Sequence, residues 1–159
     1  MATTTLREQV TESPAETEAF GESFGKRLRP GDLVLLTGEL GAGKTTFVRG
    51  VARGIGSSAP VASPTFQLIR MYAGRVQLAH IDLYRIESTS ELADLGLDEL
   101  LDQGAAVVEW GERLDAPRAA LVHLEHLEGD RRVIRVKRDL SPPRSRGGPR
   151  RSRGVGGLE

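Results

Sequence analysis

An apolar run that leads into a glycine-rich stretch constrains the fold of this chain more than any other feature of its sequence. The run "LVLLT" has the length and the continuous hydrophobicity of a buried parallel strand. "GELGAGKTTF" follows it, and Gly38-x-x-x-x-Gly43-Lys44-Thr45 matches the phosphate-binding P-loop pattern in full. A strand, a glycine loop and a helix in this order predict an α/β sheet that binds ligands at its strand ends.

Each part of this motif has a chemical reason. Gly38 and Gly43 let the backbone curl so that successive N–H groups point at phosphate oxygens, and the following helix adds its positive N-terminal dipole. Lys44 supplies a compact charge for the β- and γ-phosphates, and the Thr45 hydroxyl is a hard oxygen ligand suited to Mg²⁺. The alternative is a glycine-rich turn with a solvated lysine, and the flanking strand and helix argue against it. The motif therefore predicts a nucleoside triphosphate with its magnesium.

The sequence favours ATP over GTP as that nucleotide. A GTPase carries an Asn-Lys-x-Asp segment that reads guanine, and this chain has none. "DLGLD" does not supply the Asp-x-x-Gly of a GTPase switch loop either.

Composition excludes several other classes of protein. Cysteine is absent, which rules out disulfides, thiolate metal sites and cysteine nucleophiles. No segment has the roughly 20 apolar residues of a membrane span, and the start of the chain lacks an apolar signal region, so we expect a cytoplasmic protein. Residues 1–139 hold 17 basic against 21 acidic residues and give no basic surface for DNA or RNA.

The remaining pattern predicts one domain, a P-loop NTPase-like three-layer α/β fold with a mixed sheet: a parallel core and antiparallel hairpins. Ser13, Pro14 and Glu16 have the order of a capping box, so a helix should run from there to about Leu28. The other predicted elements are a first strand "TTLREQV", a helix from Gly43 to Gly54 or Gly56, a hairpin "TFQLIRMY"/"RVQLAHIDLYR", a helix "STSELADLGLDELLDQ" that Gly96 could divide, a buried strand "AAVVEW" and a late hairpin "ALVHLEHLE"/"RRVIRVKR". We place the domain at 1–139 and predict a disordered Arg/Pro/Gly-rich tail at 140–159.

Three further stretches carry candidate site residues, each with a plainer alternative. In "SPTF", Thr65 could direct its hydroxyl at the γ-phosphate or the attacking water, although the segment also suits an ordinary turn. "HIDLYR" places His80, Asp82 and Tyr84 on one face, and Asp82 has the position of a Walker B acid or of a solvated strand-end aspartate. "VVEW" ends an apolar strand on Glu109 and on the single tryptophan, which is either a partner anchor or a core aromatic.

Taken together, "GELGAGKTTF", "SPTF", "HIDLYR" and "VEWGERL", in this order and at these separations, resemble the bacterial TsaE family, also called YjeE. The similarity spans roughly Thr11 to Lys137. It implies the ATPase subunit of the machinery that makes threonylcarbamoyladenosine next to the anticodon of tRNA. It implies that the protein hydrolyses ATP slowly by itself, that the partner subunits TsaD and TsaB stimulate it, and that it resets their complex. We expect an indirect relation to tRNA, and the residues leave direct contact open.

The resemblance also assigns roles to individual residues. It implies that Thr65 lies near the γ-phosphate, that Asp82 and Glu109 surround Mg²⁺ and water, and that Trp110 is a functional aromatic. We favour Glu109 as metal ligand or water-orienting group and Asp82 as a further metal partner. The implied nucleotide-binding residues are the P-loop residues and two weaker candidates for the adenine wall: Gly38, Gly41, Ala42, Gly43, Lys44, Thr45, Thr46, Thr11 and Arg132.

Two other functions remain open at the level of sequence. P-loop kinases for small molecules share this size and fold, but they use an arginine-bearing lid, and the only arginine-dense stretch here is the Pro/Gly-rich tail. A non-hydrolytic assembly factor, in which ATP only sets binding affinity, would carry the same P-loop.

Overall fold

The computed structural model describes residues 6–39, 41–61, 69–84 and 96–140, and these form a single mixed sheet with helices on both faces. The seven strands lie in the order β1-β7-β6-β2-β5-β4-β3. Their bounds are β1 Arg7–Thr11, β2 Leu33–Thr37, β3 Ile69–Tyr72, β4 Gln77–Asp82, β5 Gly104–Glu109, β6 Ala120–His126 and β7 Arg132–Arg138. Three helices accompany them: α1 Pro14–Arg27, α2 Lys44–Gly54 and α3 Leu97–Gln103.

The predicted mixed sheet is confirmed. Strand β2 pairs in parallel with β5 and β6, and β4 pairs in parallel with β5, so four parallel strands form the centre. Antiparallel pairs flank this centre: β3 with β4 on one side, and β6 with β7 and β7 with β1 on the other. Both predicted hairpins are therefore present, and the carboxyl ends of the parallel strands meet at one edge of the sheet.

Helix α1 begins where the capping box predicts. The backbone N–H of Glu16 donates to the Ser13 hydroxyl at 3.2 Å, and the Glu16 carboxylate accepts from the N–H of Glu12 at 2.9 Å. Pro14 occupies the first helical turn, where its missing N–H leaves no hydrogen bond unmade. At the other end, the Arg75 guanidinium donates to the carbonyls of Leu28 and Gly25 at 2.9 and 2.8 Å, which ties the β3–β4 turn to this helix.

Helices α1 and α2 cross in unusually close contact because glycines line their interface. A Cβ at Gly21 or Gly25 would overlap backbone carbonyl oxygens of α2, and a Cβ at Gly50 or Gly54 would overlap those of α1. The four glycines form a small-x-x-x-small spacing on each helix, which lets the two backbones approach. Since α2 follows the P-loop directly, this contact fixes the loop against the N-terminal helix.

We expect Gly50→Ala to destabilise the fold by about 3 kcal/mol, because the added methyl group forces two packed backbones apart. The melting temperature should fall by roughly 6 to 12 °C for a domain of this size. Thermal unfolding followed by circular dichroism measures the change, and Ser23→Ala on the exposed side of α1 is the matched control. A Gly50→Ala protein with the same melting temperature as the parent would contradict the interpretation that the two helix backbones are in close contact.

The opposite face of the sheet carries α3 and a second apolar cluster formed by Leu35, Ile81, Leu83, Val108 and their neighbours. The predicted helix over "STSELADLGLDELLDQ" is seen from Leu97 onward, with Gly96 as its N-cap in a left-handed conformation at φ 73°. The start of that prediction falls on residues 85–95, outside the described part of the chain.

Leu140 is the last described residue, and its side chain is buried in the larger apolar cluster, one position beyond the predicted domain boundary. The rest of the predicted tail, 141–159, lies outside the described residues. Within the described ranges, no helix has the length and apolarity needed to cross a membrane.

Candidate nucleotide-binding site

The predicted acidic residues meet the P-loop at the carboxyl edge of the parallel strands. Strand β2 leads into the loop, and Asp82 and Glu109 end the two neighbouring parallel strands β4 and β5. Asp82 lies opposite Glu109 in the β4–β5 register, and Glu109 lies opposite Leu36 of β2. Residues far apart in the sequence therefore share one edge of the sheet, as ligand-binding residues do in open α/β sheets.

The P-loop backbone has the curvature that its glycines predict. Gly38, Gly41 and Gly43 have φ angles of 137°, 81° and 101°, all in the range that L-residues with a side chain avoid. A Cβ at Gly38 would also overlap the carbonyl oxygen of Leu124 on β6. The loop thus packs closely against the sheet, and α2 begins directly after it at Lys44.

Lys44 is buried, with 5% of its surface exposed, and its ammonium group is enclosed by the loop. It donates to the carbonyl oxygen of Gly38 and, at 3.4 Å, to that of Glu39. Burial lowers the pKa of Lys44, and the negative charges of Glu109, Glu112 and Asp82 counteract part of that effect. The Lys44 ammonium is thus a desolvated cation in the field of three carboxylates. Such a site can bind a phosphate chain through the ammonium and a divalent cation through the carboxylates.

The indole of Trp110 covers the same ammonium group. The Lys44 nitrogen lies 3.7 Å from the centre of the Trp110 ring, a cation–π contact, and the exposed Tyr84 ring packs 5.0 Å from the indole. Trp110 is half-buried and is the one described non-glycine residue with positive φ, at 61°. It is therefore part of the site's surface, although its edge also packs on the second apolar cluster.

The two candidate acids differ in environment. Glu109 is 4% exposed, and its Oε2 lies 2.6 Å from Nε2 of the fully buried His80. Asp82 is half-buried, and its Oδ1 accepts a hydrogen bond from the N–H of Tyr84 at 2.9 Å. The described residues contain no cluster of three or more metal-binding side chains. Magnesium in nucleotide sites relies on one or two protein ligands together with phosphates and water, and this edge of the sheet fits that pattern.

A small cavity borders the other side of the P-loop. It is lined by Pro14, Thr17, Gly43, Thr46, Asp130 and Arg132. The Arg132 side chain packs over Gly43, with its Nε within van der Waals reach of a Cβ built there, so this predicted wall residue does lie beside the loop. Thr11 does not line the cavity: it is fully buried behind it, and its hydroxyl is hydrogen-bonded to that of Thr17 at 2.7 Å.

The other P-loop residues divide by burial. Thr45 and Thr46 are half-buried at the start of α2, whereas the Ala42 side chain is buried in the core and leaves only its backbone to a ligand. Thr65 lies outside the described residues, so its role stays a prediction.

Three participants were not predicted from the sequence. The negative charge of Glu112 acts on the pKa of Lys44, Thr17 lines the small cavity in front of Thr11, and the His80 ring is hydrogen-bonded to Glu109. Strand alternation already placed His80 on the face of Asp82, which was the one available signal for it. The other two depend on how distant segments pack.

Comparison with known proteins places this chain in a family. The family model for the threonylcarbamoyl adenosine biosynthesis protein TsaE matches residues 11–136, which include every candidate site residue named above. The chain belongs to the TsaE family. The match confirms the predicted resemblance. It covers the whole described sheet apart from residues 7–10 of β1 and residues 137–138 of β7.

Individual TsaE proteins are similar over most of the chain. The tRNA threonylcarbamoyladenosine biosynthesis protein TsaE of Bacillus subtilis is 42% identical over 130 residues, covering 80% of this chain and 75% of its own. The protein of the same name from Treponema pallidum is 42% identical over 106 residues, covering 66% of this chain and 78% of its own. The crystal structure of Bacillus subtilis YdiB matches with a TM-score of 0.70 at 33% identity, covering 84% of this chain and 85% of that one.

Proposed function

We propose that this TsaE protein binds ATP with Mg²⁺ and hydrolyses it slowly, in support of threonylcarbamoyladenosine synthesis on tRNA, and that a TsaB–TsaD complex stimulates the hydrolysis. The observation that carries the proposal is the position of Lys44: its ammonium is buried, donates to P-loop carbonyls and feels the negative charges of Asp82 and Glu109, which end the neighbouring strands. The pathway is proposed from the family and the relatives named above.

Both backbone and side-chain groups of the chain contribute to the proposed nucleotide binding. The curled backbone at Gly38, Gly41 and Gly43 and the start of α2 offer N–H groups to phosphate oxygens. Lys44 offers its charge to the β- and γ-phosphates, and it exchanges the carbonyl oxygens of Gly38 and Glu39 for phosphate oxygens. We assign the rest of the nucleotide to the Arg132 side of the loop, where a small cavity borders Gly43 and Thr46.

Hydrolysis requires an oriented water and stabilisation of the charge that moves toward the leaving phosphate. Thr45, Asp82 and Glu109 are the residues that would hold Mg²⁺, which when bound neutralises phosphate charge. The Glu109 carboxylate would orient the attacking water, and the hydroxyl of Thr65, whose role is predicted from the sequence alone, would contact the γ-phosphate. These contacts strengthen in the transition state, so they affect turnover more than nucleotide affinity.

Phosphate release with and without the purified TsaB–TsaD pair tests this function. We expect slow release from the protein alone and faster release with both partners present. A phosphorylated small-molecule acceptor would favour the kinase alternative. Full tRNA modification with a non-hydrolysable ATP analogue would favour the non-hydrolytic assembly factor.

We expect ATP binding to change the fluorescence of Trp110, the chain's single tryptophan. Its indole packs against the Lys44 ammonium, and a bound triphosphate draws that ammonium toward the phosphates. Titration with ATP and Mg²⁺ should give a saturable change in tryptophan emission, and the Lys44→Ala protein should give none. Unchanged emission in a protein that calorimetry shows to be saturated with ATP would contradict the contact.

A further inference from the structure

His80 is a polar residue in an apolar setting that the proposed chemistry does not yet use. Its ring is fully buried on the α1–α2 face of β4, on the same face as the buried Leu78 and beside Val107 of β5. The Tyr72 ring lies 6.3 Å from it. An apolar side chain would fill this position without a polar atom, so packing alone gives no reason for a histidine.

The two nitrogens of the His80 ring differ in their hydrogen bonding. Nε2 lies 2.6 Å from Oε2 of Glu109, whereas Nδ1 is buried and has no hydrogen-bond partner among the described residues. An unpaired buried N–H is rarer in proteins than an unpaired acceptor. On this geometry we assign a proton to Nε2, which then donates to Glu109 Oε2.

Glu109 in turn needs this donor. Its carboxylate is 4% exposed, and a buried carboxylate requires hydrogen bonds or a positive charge nearby. The Lys44 charge faces it across the site, and His80 approaches it from the core. The hydrogen bond engages Oε2 and leaves Oε1 for other partners.

We propose that His80 is a positioning residue, whose Nε2–H fixes the Glu109 carboxylate at the end of β5 so that it faces Lys44 and the P-loop. The inference rests on the proposed function, in which Glu109 orients water or metal. The surrounding core holds the ring, so the carboxylate has little freedom to rotate away.

Nuclear magnetic resonance on the nucleotide-free protein tests the hydrogen bond directly. We expect the nitrogen-15 shifts of His80 to show a proton on Nε2, and we expect this preference to weaken in Glu109→Ala. A His80 ring without a proton on Nε2, or one that is indifferent to Glu109→Ala, would overturn the proposal. This readout needs neither ATP nor the partner subunits.

Kinetics separate positioning from packing. His80→Gln can place an amide N–H near the position of Nε2, whereas His80→Leu fills the space without a donor. We expect His80→Leu to lower kcat for partner-stimulated phosphate release by about tenfold to a hundredfold, as for the loss of a residue that orients a catalytic carboxylate. KM for ATP should stay near that of the parent, and His80→Gln should recover most of kcat.

Leu78→Val is the matched control, since it removes a buried methylene two residues away on the same face of β4. It should lower the melting temperature and leave kcat of the folded protein unchanged. Equal losses of kcat in His80→Gln and His80→Leu, or parental kcat in His80→Leu, would show that the ring serves packing alone. If the parent itself releases no phosphate with both partners, the proposed hydrolysis fails, and the Nε2 proton still decides whether His80 holds Glu109.

Discussion

Lys44→Ala is expected to weaken ATP binding at least about a hundredfold, or about 2.7 kcal/mol. The lost group is a nearly buried ammonium that is already desolvated and already aimed at the P-loop carbonyls, so little reorganisation precedes its contact with phosphate. Isothermal titration calorimetry with ATP and Mg²⁺ measures the loss.

The fold should survive this substitution. Burial lowers the pKa of Lys44, which means that the folded protein disfavours the charged form, so removing the charge does not remove a stabilising ion pair. Arg49→Ala takes an exposed cation from the same helix and should bind ATP as the parent does. Parental affinity in Lys44→Ala would refute the assignment of the loop.

Glu109→Gln should separate ATP binding from ATP use. The amide oxygen of glutamine can still accept the hydrogen bond of His80, so the core stays satisfied while the carboxylate charge is lost. We expect ATP affinity within about tenfold of the parent, or about 1.4 kcal/mol, since the P-loop and Lys44 are untouched. Partner-stimulated hydrolysis should fall by about a hundredfold, as when one positioned catalytic group is removed.

Thr65→Ala should behave in the same way, because its predicted hydroxyl contact also forms at the γ-phosphate. Calorimetry and phosphate release with the TsaB–TsaD pair measure the two quantities. Glu99→Gln, which neutralises an exposed carboxylate on α3, is the control for charge alone. Parental stimulated turnover in both Glu109→Gln and Thr65→Ala would show that the site assignment is wrong even though the family is right.

The features that the sequence predicted well are those with a local physical cause. The capping box at Ser13 and Glu16 starts α1 where it should, because the hydrogen bonds involved join neighbouring residues. The strand, glycine loop and helix around Gly43 are fixed by positive φ angles that glycine alone adopts easily. The convergence of Asp82 and Glu109 followed from a general rule about parallel strand ends.

The features that sequence reasoning missed depend on contacts between distant segments. Thr11 is predicted beside the adenine, and the structure shows it buried, hydrogen-bonded to Thr17, which itself lines the small cavity beside the loop. The hydrogen bond between His80 and Glu109 needs the β4–β5 register, which alternation along one strand does not reveal. The close crossing of α1 and α2 does have a signal in the sequence, because both helices carry two glycines four residues apart: Gly21 and Gly25 on α1, and Gly50 and Gly54 on α2.

The order of the strands has a consequence for how the chain is made. Strand β2, which leads into the P-loop, has β5 and β6 as its neighbours, and within the described ranges β1 at the amino end pairs with β7 alone. A ribosome that adds about 5 to 20 residues per second needs roughly 4 to 18 s to go from the end of β2 to the end of β6. During that time the glycine loop has been translated, but one or both of the strands that flank β2 in the finished sheet have not. The proposed nucleotide site is therefore complete only after β6 has been made.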